Sequence, residues 1–353
     1  MAVPSPPRLP AAPLRGFIAE ALLKVGLPPT DAATCAELMV RADLHGADGH
    51  GIFRLPQYVR RIRAGGVNVK PKVRVEREAA GMALIDGDNG MGHVVMSFAA
   101  KTAIAKAKTA GAAWVGVRRS NHAGPASLYA AMPLAHDMIG LYLAVGNANH
   151  MAPWGGIDLL LSTNPIAVAA PGHDGPIVLD MATSVAAYGK VKTAAQRGET
   201  MPEGWMIDHQ GRPLTDPKRA DEGLLVPIGG YKGYGLALVI GLLAGSLNGA
   251  AAGSDTIDFN ADDRTPTNTG HAIVAISISA FGEVDDFKRR VDKIAREIRR
   301  SRPMPGVARI WLPGEQSRAK FEERSRLGVP IPASLRASLA KLAAELQIRP
   351  LVA

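Results

Sequence analysis

Apolar residues recur every three or four positions in LRGFIAEALLKVGL and TDAATCAELMVRADLHG, which predicts helices over 14–27 and 30–46. Thr30 or Asp31 is the predicted N-cap of the second. The period then changes. VRVER (73–77) and GMALIDG (81–87) read as strands, closed by turn residues Gly87, Asp88, Asn89 and Gly90. HVVMSFAAKTAIAKAKTAG (93–111) returns to helical spacing, and AAWVGVR (112–118), MIGLYLAVG (138–146) and PIAVAAP (165–171) supply three apolar strands. PIVLD (176–180) is predicted as a strand, Met181 to Thr183 as a turn, and 184–198 as a helix carrying Lys190, Lys192 and Arg197. A strand delivering its end to a helix start creates backbone donors suited to an anion. Turns and a peripheral hairpin follow over 202–230. The apolar run from Gly235 to about Ala252, rich in small residues, predicts a helix buried against the sheet. HAIVAISISAF (271–281) is a further strand, followed by a charged helix from about Asp285, a strand-like RIWLP, and two helical segments ending near Ile348. The last of these is amphipathic and suited to covering the first helical layer.

Composition narrows the class. A chain of 353 residues, 47% hydrophobic and 21% charged, describes a globular protein long enough for two domains. The single cysteine, Cys35, excludes an intrachain disulfide framework and a cysteine-rich metal site, and fits a reducing, cytoplasmic setting. Ser246 and Asn248 argue against a membrane span in the longest apolar run, and MAVPSPPRLPAAP lacks a signal core. The formal charge of +9 concentrates after Asp286, where Asp292 and Glu297 interrupt the arginines, so a solvated helix face is the simplest account. Without aromatic interleaving, nucleic-acid binding is not indicated. Positive charge instead favours anionic substrates and cofactors by steering.

Two segments carry candidate chemistry. In HGADGHGIFRLPQY, His50, Arg54 and Tyr58 are spaced i,i+4, so a helix over them would align an imidazole, a guanidinium and a phenol. Pro56 makes that shared face conditional on where the helix begins. In RRSNHAGPASLYA, Ser120, Asn121 and His122 follow a strand end, where binding residues collect. His122 could serve general acid–base chemistry or be a satisfied structural histidine, and Arg54 could be a surface cation beside Arg60, Arg61 and Arg63. There is no GxGxxG opening an N-terminal strand–turn–helix unit, no GxxxxGK[ST] and no HExxH. Nicotinamide binding here would need another architecture, and no metal is called for.

The blocks HGIFRLPQY, SNHAG, LSTNPIAVAAP, VLDMATS, GWMID, GGYKGYGLALVIGLLAG and LPGE occur together and in order. They resemble the type-2 malate/L-lactate dehydrogenase family over nearly the whole chain after its proline-rich start. The resemblance implies an α/β, non-Rossmann nicotinamide-binding fold with a mixed, largely antiparallel central sheet and a helical layer, commonly dimeric. The prolines suit a flexible tail over 1–13, followed by a helical substrate-side region over 14–76 packed with 285–353, a sheet and cofactor domain over 77–284, and a C-terminal helical cover over 285–353. The resemblance also implies hydride transfer between NAD(P)H and the 2-carbon of a small 2-oxo or 2-hydroxy acid; of the two cofactors NADP is slightly preferred over NAD here.

By resemblance His50 and His122 are catalytic, with His50 the leading proton donor. Arg54 and Tyr58, with Ser120 and Asn121, are substrate-side. Asp180, Met181, Ala182, Thr183, Tyr231, Lys232, Gly314 and Glu315 lie at the cofactor. The family pattern has serine before the first histidine and an aromatic after the second, whereas this chain has Gly49 and Ala123. A roomier pocket, open to a larger 2-oxo acid or a cyclic 2-imino acid such as piperideine-2-carboxylate or pyrroline-2-carboxylate, is one consequence. Compensation by neighbouring side chains is the other. A cofactor-binding sensor without turnover is the non-enzyme alternative.

Overall fold

The computed structural model describes residues 6–351. The proline-rich start is ordered sooner than a loose tail over 1–13 allows. β1 (Arg8–Leu9) pairs antiparallel with Val329–Pro330, Leu9 is buried, and α1 (Ala11–Lys24) begins inside the expected tail. Residues 1–5 lie outside the described residues. α2 (Pro29–Leu44) is capped two or three residues earlier than the predicted Thr30 or Asp31. Pro28 is the N-cap and Pro29 sits in the first turn, where a fixed φ favours the helix and a missing N–H costs nothing. α3 (Leu55–Arg63) takes Pro56 in its first turn for the same reason, after a 3₁₀ turn over Ile52–Arg54.

β2 (Arg74–Ala79) and β3 (Met82–Asp86) form a hairpin, and α4 (Gly92–Ala110) crosses to β4 (Ala112–Ser120). After α5 (Ser127–Ala130) come β5 (Met138–Ala144), the short pair β6 (Asn149–Met151) and β7 (Leu161–Ser162), then β8 (Ile166–Ala170) and β9 (Ile177–Met181). α6 (Tyr188–Arg197) is shorter than the predicted 184–198, because Ser184 and Val185 are held extended against Pro227 and Val226. β10 (Met206–Asp208) and β11 (Gly223–Leu225) make the peripheral hairpin, followed by α7 (Tyr231–Ile240) and β12 (Thr269–Ser277). α8 (Val284–Arg300), α9 (Glu315–Leu327), β13 (Val329–Pro330) and α10 (Ala333–Leu346) complete the chain. RIWLP is irregular, joined to the sheet edge by the Val178 N–H to the Pro313 carbonyl at 3.1 Å.

Seven strands form one sheet in the order β2-β3-β4-β12-β5-β8-β9. Only β3 and β4 run parallel, so the sheet is mixed and largely antiparallel. One face is covered by α4, whose Val95, Met96, Ala99 and Ala103 pack with Val115, Val117 and Ile273. A separate layer joins Leu14, Ile18 and Leu22 of α1, Met39 of α2 and Tyr58 of α3 to Leu339 and Leu342 of α10.

The run from Gly235 departs from the predicted buried helix. α7 begins at Tyr231, passes into a wide π-turn over Gly241–Gly245, and ends in a 3₁₀ turn at Asn248. Its sheet side is made of small residues, Gly233, Ala237, Gly241, Ala244 and Gly245, so the backbone lies close to the strands. Ile240 packs on Leu143, Val145 and Ala272 of the sheet, while Leu238, Val239, Leu242 and Leu247 turn outward, 40%, 49%, 51% and 64% exposed. Among the described residues no helix is long and apolar enough to cross a membrane.

Candidate active site

His50 sits in the turn between α2 and the 3₁₀ segment, so His50, Arg54 and Tyr58 do not share one continuous helical face. They still converge. The buried carboxyl of Asp43 accepts the Ile52 N–H at 2.9 Å and occupies the space a side chain at Gly51 would need. Burial pushes Asp43 up to about 8, which favours the neutral acid. This acid on the inner stripe of α2 was missed in the sequence, where the only signal is a charge between Val40 and Leu44.

A hydrogen-bonded chain runs through the site. Tyr58 Oη lies 2.6 Å from His122 Nδ1, and His122 Nε2 lies 3.2 Å from His50 Nδ1. The His122 ring is stacked with His50 (centroids 5.3 Å apart, 10° between planes) and with Phe259 (5.1 Å, 17°). Both histidines keep an exposed edge, yet burial lowers their pKa, His50 to about 4 and His122 well below its usual value, with the Arg54 charge adding to both. Burial pushes Tyr58 up, so it keeps its proton. A neutral phenol has one hydrogen, and its recorded partner here is His122 Nδ1. Donation there places the His122 proton on Nε2, facing His50 Nδ1, and leaves the His50 proton on Nε2.

Arg54 curls under this chain. Its Nε donates to the Gly49 carbonyl at 2.8 Å, and Nη1 donates to Gln57 Oε1 at 2.7 Å and Asn260 Oδ1 at 3.3 Å. The guanidinium carbon lies 5.2 Å from the Phe259 centroid. Among the described residues Arg54 forms no ion pair and its Nη2 no hydrogen bond, so a half-buried cation, fixed in place by Nε and Nη1, turns one open amino group to an incoming anion. Gln57, Phe259 and Asn260 were not read from the sequence. The last two come from a loop with no periodic pattern.

Ser120 and Asn121 serve the frame. Ser120 is fully buried, 3.2 Å from His271 Nε2, while Asn121 Nδ2 donates to Asn89 and Gly90 and its Oδ1 accepts from Thr267. Ala123 is also turned inward, into the core with Tyr129 and Val95, and its carbonyl accepts the Tyr129 hydroxyl. The room expected at Ala123 therefore does not open into the cleft. Gly49 differs, since an added Cβ meets nothing within 4 Å.

The remaining predicted residues gather along β9 and its neighbours. Asp180 is exposed and accepts the Ser127 N–H at 2.8 Å, tying the edge strand to the segment after His122. Met181 ends β9 and is part-buried, as is the pairing partner Ile166; Ala182 follows it. Thr183 is buried and donates to the Thr163 carbonyl, and its own carbonyl accepts the Ile228 N–H at 2.9 Å. That bond sets the 180–183 segment beside the start of α7, where Gly229 and Gly230 have positive φ and Tyr231 and Lys232 are exposed. Gly314 (φ 87°) packs on Val178, where a side chain would strike the Val178 carbonyl. Glu315 is committed: it accepts the Leu312 N–H at 2.8 Å and pairs with Arg299 and Arg309. Burial disfavours its charge, but these bonds outweigh it and hold its pKa below the usual range.

A family model described as malate/L-lactate dehydrogenase matches residues 9–340. A malate dehydrogenase of Pyrococcus horikoshii is 41% identical over 332 residues, 92% of this chain and 91% of that protein. A solved structure of malate dehydrogenase from that organism superposes with a TM-score of 0.91 at 37% identity, covering 99% of each chain. An L-sulfolactate dehydrogenase of Methanocaldococcus jannaschii is 40% identical over 311 residues, 88% of each protein. The structure of delta1-piperideine-2-carboxylate reductase from Pseudomonas syringae pvar. tomato is similar at a TM-score of 0.83 and 27% identity, covering 95% of this chain and 99% of that one.

Proposed function

The chain belongs to the malate/L-lactate dehydrogenase family and is an oxidoreductase, and from that premise we propose that it moves hydride between NAD(P)H and the 2-carbon of a 2-oxo acid. The reverse reaction oxidises a 2-hydroxy acid. The observation that carries this reading is the Tyr58–His122–His50 chain beside the unpaired Arg54. Arg54 receives the carboxylate through its charge and its open Nη2 and fixes the neighbouring carbon. The nicotinamide supplies or accepts the hydride. During reduction His50 Nε2–H donates to the oxygen that becomes negative, and as that proton leaves, His50 Nδ1 takes one from His122 Nε2 and His122 Nδ1 takes the Tyr58 proton, which solvent then restores. Oxidation runs the same chain in reverse: with the Tyr58 proton gone, His122 Nδ1–H donates to the Tyr58 oxygen, His50 Nδ1–H donates to His122 Nε2, and His50 Nε2 is the free base that takes the hydroxyl proton. Both arrangements satisfy the two inter-residue contacts, which suits one site to both directions.

Fit to the cofactor rests on the donor set beside Thr183. α7 is ten residues long with no side-chain cap, and Lys232 makes no ion pair among the described residues, so backbone donors and a cation face an anionic group together. In this reading residues 77–284 carry the cofactor and 14–76 with 285–353 the substrate side. NADP is slightly preferred over NAD, and parallel titrations with NADPH and NADH check it. A cytoplasmic homodimer completes the reading, supported by buried Cys35 and by the outward row Leu238, Val239, Leu242 and Leu247.

Turnover with a panel of 2-oxo, 2-hydroxy and cyclic 2-imino acids tests the function, with His50→Ala and His122→Ala beside the parent. His50→Ala should lose turnover by about 10²-fold or more with cofactor affinity retained. Near-normal turnover there with loss in His122→Ala reverses the assignment, and no turnover by the parent overturns the function. A second reading, reduction of a cyclic 2-imino acid, is favoured by the open space at Gly49 and is decided by kcat/KM across the same panel.

A further inference from the structure

A second group of charged and aromatic side chains stands unused beyond Arg54. α6 carries Tyr188 and Lys192 four residues apart, on one face. The Tyr188 ring stacks on His150 of β6, centroids 4.0 Å apart at 14°, and its hydroxyl donates to Asp221 at 2.9 Å. Lys192 Nζ lies 5.3 Å from the centroid of the same ring. Lys192 is exposed and makes no ion pair among the described residues.

The group is tied to the Arg54 side of the cleft through the loop before β12. The Phe259 N–H donates to the Asn147 carbonyl at 3.0 Å, and Asn149 Nδ2 donates to the Gly253 carbonyl at 2.8 Å, so the segment ending in His150 runs beside 253–259. Asp258 Oδ1 accepts from the backbone and side chain of Asn260, whose own oxygen accepts from Arg54. Charge crosses the same gap. After burial, the Arg54 charge is the strongest influence lowering the Lys192 pKa, with Asp258 and Asp221 opposing it. Those two carboxylates already accept from Asn260 and Tyr188. Two cations close enough to repel, neither with an ion pair among the described residues, are satisfied together by a ligand carrying two negative groups.

We propose that Lys192, held on the Tyr188 ring beside His150, is a specificity-determining residue that receives a second negative group of the substrate and so sets the preference between doubly and singly charged 2-oxo acids. This rests on the reading of Arg54 as receptor for the carboxylate beside the reacting carbon. His150 is neutral, held down to about 4 chiefly by burial, and its role is a hydrogen bond rather than a charge. Tyr188 is a positioning residue, since its ring limits where the flexible lysine can reach.

The test compares Lys192→Met, Lys192→Arg and the parent with oxaloacetate and pyruvate, alongside fluorescence titrations of NADH and NADPH. Lys192→Met should lower kcat/KM for oxaloacetate at least tenfold, mainly through KM, and leave pyruvate within about twofold, with Lys192→Arg recovering most of the loss. Cofactor affinity should not change. An equal change for both acids, or none for oxaloacetate, overturns the subsite. A loss confined to cofactor affinity also overturns it and places the lysine on a cofactor phosphate. If the parent reduces neither acid, the parent reading fails and the subsite with it; if the parent reduces both, only the subsite is at stake.

Discussion

Tyr58→Phe removes one oxygen from the centre of the proton chain and keeps the ring. The ring is anchored independently, packed with Leu55, Leu339 and Leu342 and edge-on to His93 at 5.6 Å, so the backbone has little reason to move. What is lost is the 2.6 Å bond to His122 Nδ1. A buried acceptor left without its donor costs about 1–3 kcal/mol. With an unfolding entropy of about 2.1 cal/mol/K per residue, 353 residues give about 0.7 kcal/mol/K, so a 2 kcal/mol loss lowers Tm by about 3 °C. The catalytic effect is separate. Without the hydroxyl, His122 no longer has its tautomer set, and the state that presents Nε2–H to His50 competes with the other. Since general acid–base assistance is worth roughly 10²–10⁴-fold, partial loss of its control should lower kcat by about tenfold to a hundredfold, with KM changed little. Steady-state kinetics from pH 5 to 9 and a thermal melt measure both. A variant whose Tm falls while kcat and its pH profile match the parent refutes the chain and leaves Tyr58 as core packing.

Arg54→Lys keeps the charge but cannot reproduce the bonds to Gly49 and Gln57, and it should raise KM for carboxylate substrates at least tenfold while cofactor affinity stays within about twofold. Equal losses of both would place Arg54 outside the substrate cleft. Stability should fall as the medium is acidified below pH 6.5. Burial holds His50, His150 and His271 down to about 4, His93 to about 3 and His122 well below its usual value, so the unfolded chain gains five protons that the fold excludes; Asp43, pushed up to about 8, opposes with one. The net of about four protons gives up to about 5 kcal/mol lost per pH unit between roughly 6 and 5, read from urea midpoints, and a flat or rising profile contradicts it.

Much of the sheet was legible because alternation is a strong signal over five or more residues, and β4, β5 and β8 lie within two residues of their predicted ends. The two-residue strand β1 has no period to read. α7 misled for a different reason: small residues and large apolar residues both score as buried, whereas the small ones with Ile240 face the sheet and four large ones face outward. In the site, paired histidine segments were readable from residue type, but Ser120 and Asn121 were not, since a polar side chain next to a histidine looks the same whether it meets a ligand or satisfies buried backbone. Phe259 and Asn260 reach the site from more than 200 positions away in the chain, where no local pattern marks them.

The pairing of β1 with β13, and of α1 with α10, has a consequence for how the chain is made. The wall that holds Tyr58 and positions Arg54 is built from the first sixty residues and completed by residues 329–348, so the first helices leave the ribosome with apolar faces that have no final partner. The seven-stranded sheet can close once β12 has emerged, well before α10 is synthesised. Contacts between such distant segments form late, and the early helices stay exposed to chaperones and proteases until then. A nascent chain stalled at about residue 320, with β12 clear of the ribosome and α10 not yet made, should therefore be cut by protease within α1 and α2 while β3, β4, β5 and β12 resist.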